Sequence, residues 1–458
     1  MDKSLIFIIG IIIYFVINLL VGVFGFRKMS VEQMTTAQNS TSTIKLIITL
    51  VSTIIGGGMF LGIAEMGYNG GLAFLGIGLI YLFGSIALGL LAPNIRDFLV
   101  KKEATNLFEL IDKVYPKEDN KISVKSLLAF CSFFVYFLML AVQFVGIGIF
   151  YSYFTKTDLT TSSVIIAAIV SVISTIIYSA FGGFKKDIIT DIIQFIFIVI
   201  GVSAIFYFGN FEKGIFTTIQ NMTPTDYSLK GKYNFVYLIG AFLFVAPTFF
   251  VRYDIWQRII TAKSNSSARV SFIASGFIAL FFFCIFGFIG LYGKALGITN
   301  DQFVALELIE KSLTGFPFLL AIIAFFAAVM SSADTFLGVA TLSLNSIVNS
   351  ATTTESRQKN KFRYSAIIIG IVSVLITFIS KDIIELFSVA FGILMPFLPT
   401  VFGAMFRKNP KTKEAYWSIY LGLISFFISL LFIPKEAFIL GVLTSIIAYL
   451  IVAKRNRD

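Results

Sequence analysis

The sequence predicts an all-α polytopic membrane protein with about thirteen transmembrane helices. Hydrophobic residues make up 57% of the 458 and charged residues only 13%, too little charge to cover a soluble protein of this size. The apolar residues, among them 53 phenylalanines, lie in long runs separated by short polar segments. The basic residues that produce the net charge of +11 gather in alternate segments.

Taken in order, the apolar runs are 4–26, 43–67, 70–95, 124–154, 160–180, 186–208, 235–260, 267–292, 316–349, 362–380, 383–406, 415–433 and 436–453. Each reaches the roughly 20 residues a helix needs to cross hydrocarbon, where backbone polar groups must be satisfied internally. The first run lacks a small-residue cleavage site and is expected to be a retained span.

Orientation follows from the basic residues. With the N-terminus outside, the cytoplasmic segments hold 25 of the 36 lysines and arginines, at positions such as Arg27, Lys101, Lys185, Lys263, Arg357, Lys408 and Lys454. Nine fall outside: Lys3, Lys156, Lys213, Lys230, Lys232, Lys294, Lys311, Lys381 and Lys435. That split satisfies the positive-inside rule and places the C-terminus in the cytoplasm of a multi-pass cell-membrane protein. The basic excess is thus a topology signal, and no nucleic acid is expected as a partner.

The segments between runs are short. Amphipathic stretches from Ala104 to Val114 and from Gln302 to Ser312 are expected along the membrane surface, and Asn349 to Ser356 reads as a solvated loop. No soluble domain and no Gly-rich phosphate loop is evident, so no nucleotide partner is expected. The absence of histidine removes Ser-His and Cys-His nucleophile pairs, and an enzyme is not expected. Cys131 and Cys284 sit in apolar runs without metal-ligand spacing and read as small buried hydrophobes.

Three runs break the apolar pattern. The second contains Ser52-Thr53-Ile54-Ile55-Gly56-Gly57-Gly58-Met59-Phe60. Successive glycines cost about 1 kcal/mol each in a helix relative to alanine, so an interruption is expected there, exposing carbonyls to a cation and backbone to a solute. Close packing through small residues is the alternative. The seventh run carries Ala246-Pro247-Thr248-Phe249-Phe250, where proline removes a backbone donor and, paired with the glycine run, gives the pattern expected of two matching discontinuous helices, with Arg252 and Asp254 beyond it. The ninth contains Ala327-Ala328-Val329-Met330-Ser331-Ser332-Ala333-Asp334, two hydroxyls and a carboxylate deep in hydrocarbon, oxygen ligands suited to a hard cation. Asp191, in the sixth run, can attract a cation leaving toward the cytoplasm or pair with a nearby lysine. Glu65 closes the second run near the outer face.

At these residues the sequence resembles the sodium:solute symporter family, through Gly56-Gly57-Gly58 to Gly62, Gly182-Gly183-Phe184 with Thr190-Asp191 and Gln194, Gln257-Arg258, and Ala327 to Asp334. The resemblance implies a LeuT-like 5+5 inverted repeat. Its halves are expected at 43–208 and 235–407, with 1–42 a peripheral first span and loop, 209–234 an extracellular loop and 408–458 two peripheral spans. It also implies Na+ as the coupling ion, held by the carbonyls of Ser52, Ile55 and Ala328 and the hydroxyls of Ser331 and Ser332. Asp191 then lies on the sodium exit path. A small organic solute is expected beside Gly56, Gly57, Met59, Phe60, Thr248, Phe249 and Phe250. The glycine motif is most similar to the choline-transporter branch, with Ile54 and Ile55 where that branch has a tryptophan. A small amino acid or another modest organic solute remains open. The alternatives are a proton-coupled symporter using Asp191 or Asp334 and a transporter-like membrane sensor. The sequence fixes no oligomeric state.

Overall fold

The computed structural model describes residues 3–24, 30–118, 122–157, 162–209, 222, 233–348, 354–376, 383–433 and 437–455. The end of the first expected run, most of the 209–234 segment, most of the 349–356 loop, and Arg27, Lys213, Lys230, Lys232, Lys381 and Lys435 lie outside the described residues.

The helices follow the apolar runs. α1 (Lys3–Phe24) is followed by the short α2 (Val31–Thr35). α3 (Thr43–Ile54), a π-helical stretch Gly58–Ile63 and α4 (Ala64–Gly70) make a bent pair with an angle of 62°. Then come α5 (Ala73–Lys101), α6 (Leu107–Val114), α7 (Val124–Thr155) and α8 (Ser162–Phe208). α8 is two helices joined at Gly183, whose φ of 58° is open chiefly to glycine. A Cβ there would also stand 2.6 Å from Met34 Cα, so α2 rests directly on the joint.

α9 (Phe235–Val251) and α10 (Tyr253–Thr261) form a second bent pair, with an angle of 52°. α11 (Asn265–Ala295), α12 (Val304–Ser312), α13 (Gly315–Val348) and α14 (Glu355–Ile376) follow. α15 (Ile383–Leu394) continues through the 3₁₀ turn Met395–Phe397 into α16 (Leu398–Phe406). α17 (Thr412–Phe432) and α18 (Ala437–Arg455) pack on each other, with Ser418 Oγ donating to Ser445 O at 3.0 Å.

Among the described residues eight helices can cross a bilayer alone by length and composition, or ten if each bent pair is one span, against the thirteen expected. The other expected runs fall on α1, the first half of α8 and α14. α14 misses because Lys359, Lys361 and Arg363 occupy its early turns. α7 and α13 form the centre, with 78% of each apolar stretch buried against 39% in α17. Phe83, Phe281 and Leu431 are among the large side chains left exposed, a surface suited to acyl chains.

Two expectations change. α9 runs through Pro247, and the chain breaks five residues later at Arg252, where φ −82° and ψ 123° are extended. The amphipathic stretches give α6 and α12, but their apolar faces are buried in the protein: Phe108 stacks on Tyr253 with centroids 4.5 Å apart. At one end of the molecule Thr41 N donates to Thr261 O at 2.9 Å and Lys263 N to Thr41 O at 3.0 Å. This short ladder ties the chain entering α3 to the chain leaving α10.

Candidate functional site

The second helix breaks at Ile55, just before the glycines. Ile55 has φ −79° and ψ 63°, and Gly56 N bonds Ile54 O at 2.9 Å, the geometry of an inverse γ-turn. The Gly56 amide, which would have completed the ladder on Ser52 O, is therefore turned away. Met59 N, the helical partner of Ile55 O, bonds Gly56 O at 3.1 Å instead. Two carbonyls at the negative end of α3 thus lose their helical partners.

The glycines let other side chains approach the turn. A Cβ on Gly56 would stand 2.7 Å from Gln143 Oε1 and closer still to Ser332 Oγ. A Cβ on Gly58 would run into the ring of Phe387, with Cζ at 2.7 Å. Gln143 Oε1 accepts from Gly57 N at 2.9 Å, capping the first amide of the second half-helix.

α13 crosses α3 at the break. Ser332 Oγ donates to Thr53 O at 2.8 Å. Ser331 Oγ donates to Asp191 Oδ1, Thr49 Oγ1 donates to Asp191 Oδ2, and Ser52 Oγ donates to Asp191 O at 3.2 Å. A carbonyl or carboxylate oxygen only accepts, so both serine hydroxyls spend their protons there and keep lone pairs for another ligand. Ser52, Ile55, Ala328, Ser331, Ser332 and Asp191 are all buried. The structure thus draws Ser52, Ser331, Ser332 and Asp191 together around the break. Ala328 lies one turn up α13 from the serines, and Asp334 one turn down, accepting from Thr335 N at 2.8 Å and Thr190 Oγ1 at 3.5 Å.

Arg258, fully buried on α10, fastens these helices. Its Nη2 donates to Thr53 Oγ1 at 2.6 Å, Thr335 Oγ1 at 3.2 Å and Thr49 Oγ1 at 3.4 Å. Asp254 lies 3.7 Å from Arg258 and 2.7 Å from Arg252, and Tyr136 OH donates to it. Arg252 and Asp254 therefore pair with each other at the second break.

The solute residues named from sequence divide into two groups. Gly56 and Gly57 lie at the turn, beside Gln143. Phe60 packs on Phe286 and Phe325 at 4.7 and 5.2 Å, and Met59 is buried. Thr248 Oγ1 donates to Val245 O at 2.7 Å within its own helix. Phe249 meets Tyr81 at 4.9 Å, and Phe250 meets Phe402 at 5.1 Å. Gln143, Phe387, Thr49 and Tyr136 were missed. Gln143 alone carried a signal, as an amide in the middle of an apolar run.

An all-helical membrane bundle with two interrupted helices and a polar seat at one break belongs to the class of secondary transporters. The sodium:solute symporter family matches residues 34–422, and the chain belongs to that family. Among curated proteins none matches. A Na+-coupled sialic acid symporter in its substrate-bound outward-open state, described as revealing a novel Na+-site, superposes with a TM-score of 0.79 at 19% identity over 98% of each chain. Mhp1, a nucleobase-cation-symport-1 family transporter, closed with bromovinylhydantoin bound, gives 0.55 at 12% identity over 94% of this chain and 95% of its own. MhsT in complex with L-phenylalanine gives 0.50 at 18% identity over 91% and 98%. At these identities the likeness establishes the fold.

Proposed function

We propose that this chain carries a small organic solute into the cell together with sodium, by alternating access. Sodium sits between the Ser52 and Ile55 carbonyls on α3 and the Ala328 carbonyl and Ser331 and Ser332 hydroxyls on α13. The observation that carries the reading is the inverse γ-turn at Ile55. It strips helical partners from two carbonyls where two hydroxyls with spent protons converge. Neutral oxygens of this kind suit a hard monovalent cation.

The solute is placed beside Gly56 and Gly57, with Met59, Phe60, Thr248, Phe249 and Phe250 in the surrounding wall and Gln143 and Phe387 added to it. Thirteen spans, an outside N-terminus and inverted repeats at 43–208 and 235–407 complete the reading. The two bent pairs, each opening one of these halves, fit inverted repeats that both start with a broken helix. Sodium favours one access state through differential affinity, and solute binding then permits the change. One sodium crossing 100 mV supplies about 2.3 kcal/mol, enough for roughly a fiftyfold solute gradient.

The test is uptake into vesicles under an imposed sodium gradient, with solutes first screened by sodium-dependent thermal stabilisation. Accumulation that collapses when potassium replaces sodium is expected. Accumulation driven by a pH gradient without sodium would contradict the reading.

A further inference from the structure

α8 and α13 run side by side beyond Ser331, and oxygen atoms step along the seam. Asp191 meets Ser331 at the break. Thr190 Oγ1 reaches Asp334 Oδ2 at 3.5 Å. Further along, Asp187 Oδ2 lies 3.6 Å from where a Cβ on Gly338 would stand. Asp187 precedes Asp191 by four residues and Gly338 follows Asp334 by four, so each step is about one 5.4 Å turn.

Asp187 is 3% exposed, and its Oδ1 is buried with no hydrogen-bond partner. A buried carboxylate oxygen in that condition is costly unless the group takes up a proton or a cation meets it. The charged groups acting on Asp187 are Asp191, Arg258 and Lys186. Arg258 is already engaged by Asp254 and three threonine hydroxyls. Among the described residues the buried charged side chains of this region are Asp187, Asp191, Asp254 and Asp334 against Lys186, Arg252 and Arg258, which leaves one negative charge in excess when all are ionised. Among the described residues no three acids converge on one metal position, so the carboxylates form a row, not a cage. One additional monovalent cation, visiting the oxygens in turn, neutralises that row.

We propose that Asp187 is a docking point for the coupling cation, one turn beyond Asp191 on the route to the cytoplasm, receiving a small hard monovalent cation on its unpartnered carboxylate oxygen. The assignment rests on the sodium-coupling reading and deepens it by naming the side chain at the far end of the sodium path. Asp187 is a stop on the path and not a closed binding site, because among the described residues no cluster of acids surrounds it.

The test uses the purified full chain and sodium alone. Equilibrium binding of ²²Na+ gives affinity, and sodium-jump stopped-flow tryptophan fluorescence gives the relaxation rate. Asp187→Asn is expected to slow binding and release together by about tenfold while affinity stays within about threefold, as removal of a way-station does. Asp187→Glu is expected to restore the rate. Asp187→Ser makes the same neutralisation if the amide is not tolerated. Unchanged kinetics in the neutral variants would overturn the assignment, as would an affinity loss expressed only in faster release. If the unmodified chain binds no sodium, the coupling reading fails first and this assignment with it, an outcome distinct from a wild type that binds and a variant that behaves identically.

Discussion

At the scale of single residues, the site depends on how closely α13 approaches the turn at Ile55. Gly56 has room for no side chain because Ser332 Oγ and Gln143 Oε1 already occupy that space. Gly56→Ala is expected to push Ser332 off Thr53 O at a cost of about 1–3 kcal/mol, the usual range for overpacking. Thermal unfolding measured with and without sodium checks this: the variant is expected to melt lower and to lose the sodium-induced rise in Tm. The run of glycines was legible as a weak point in the helix, but the reason for it was not. Gly57 is right-handed helical, with φ −53° and ψ −36°, so these glycines serve close approach. The turn itself falls on Ile55, whose side chain carries no signal for it. The Ser331 and Ser332 pair was legible because hydroxyls are conspicuous in hydrocarbon. The Thr49 and Thr53 hydroxyls that complete the network were not, since a threonine in a membrane helix more often bonds its own backbone.

At the scale of elements, two broken helices meet one continuous helix, α13, and Arg258 holds the three together. It is the only side chain among those described here that bonds Thr49, Thr53 and Thr335 at once. Arg258→Gln removes a buried charge from Asp254, which keeps Arg252, so a loss of about 3 kcal/mol is expected, at the lower end for breaking a buried pair. Lys263→Gln, at an exposed position on the same connection, is expected to stay within about 0.5 kcal/mol. Melting curves of the two variants make the comparison. Element positions were legible from apolar runs alone, but the second break was not. Pro247 is tolerated because it costs one backbone bond while α9 stays packed through Phe249 and Phe250. The break goes to Arg252, whose guanidinium bonds Asp254 at the start of α10. The amphipathic stretches misled for a related reason: an apolar stripe does not say whether lipid or protein will cover it, and Phe108 finds Tyr253.

At the scale of the whole molecule, charge sets orientation and the apolar surface sets the solvent. In a background lacking Cys131 and Cys284, Lys408→Cys and Lys454→Cys are expected to react with a membrane-impermeant thiol reagent only after the cytoplasmic face is opened. Lys156→Cys is expected to react from outside in intact cells. The reversed pattern would invert the proposed topology and the proposed direction of the sodium path. The class of fold was legible from composition and the family from four motifs in order. The solute was not, because Phe60, Phe249 and Phe250 each pack on other rings and aromatic residues are too common here to single out a wall. The proposed transport rests on an alkali ion held where the interrupted helix faces Ser331 and Ser332. The most direct measurement is the ²²Na+ binding isotherm of the purified chain beside that of the Ser331→Ala/Ser332→Ala double variant. Saturable binding in the unmodified chain, weakened about a hundredfold or more in the double variant, is the expected result. Identical isotherms would contradict the account.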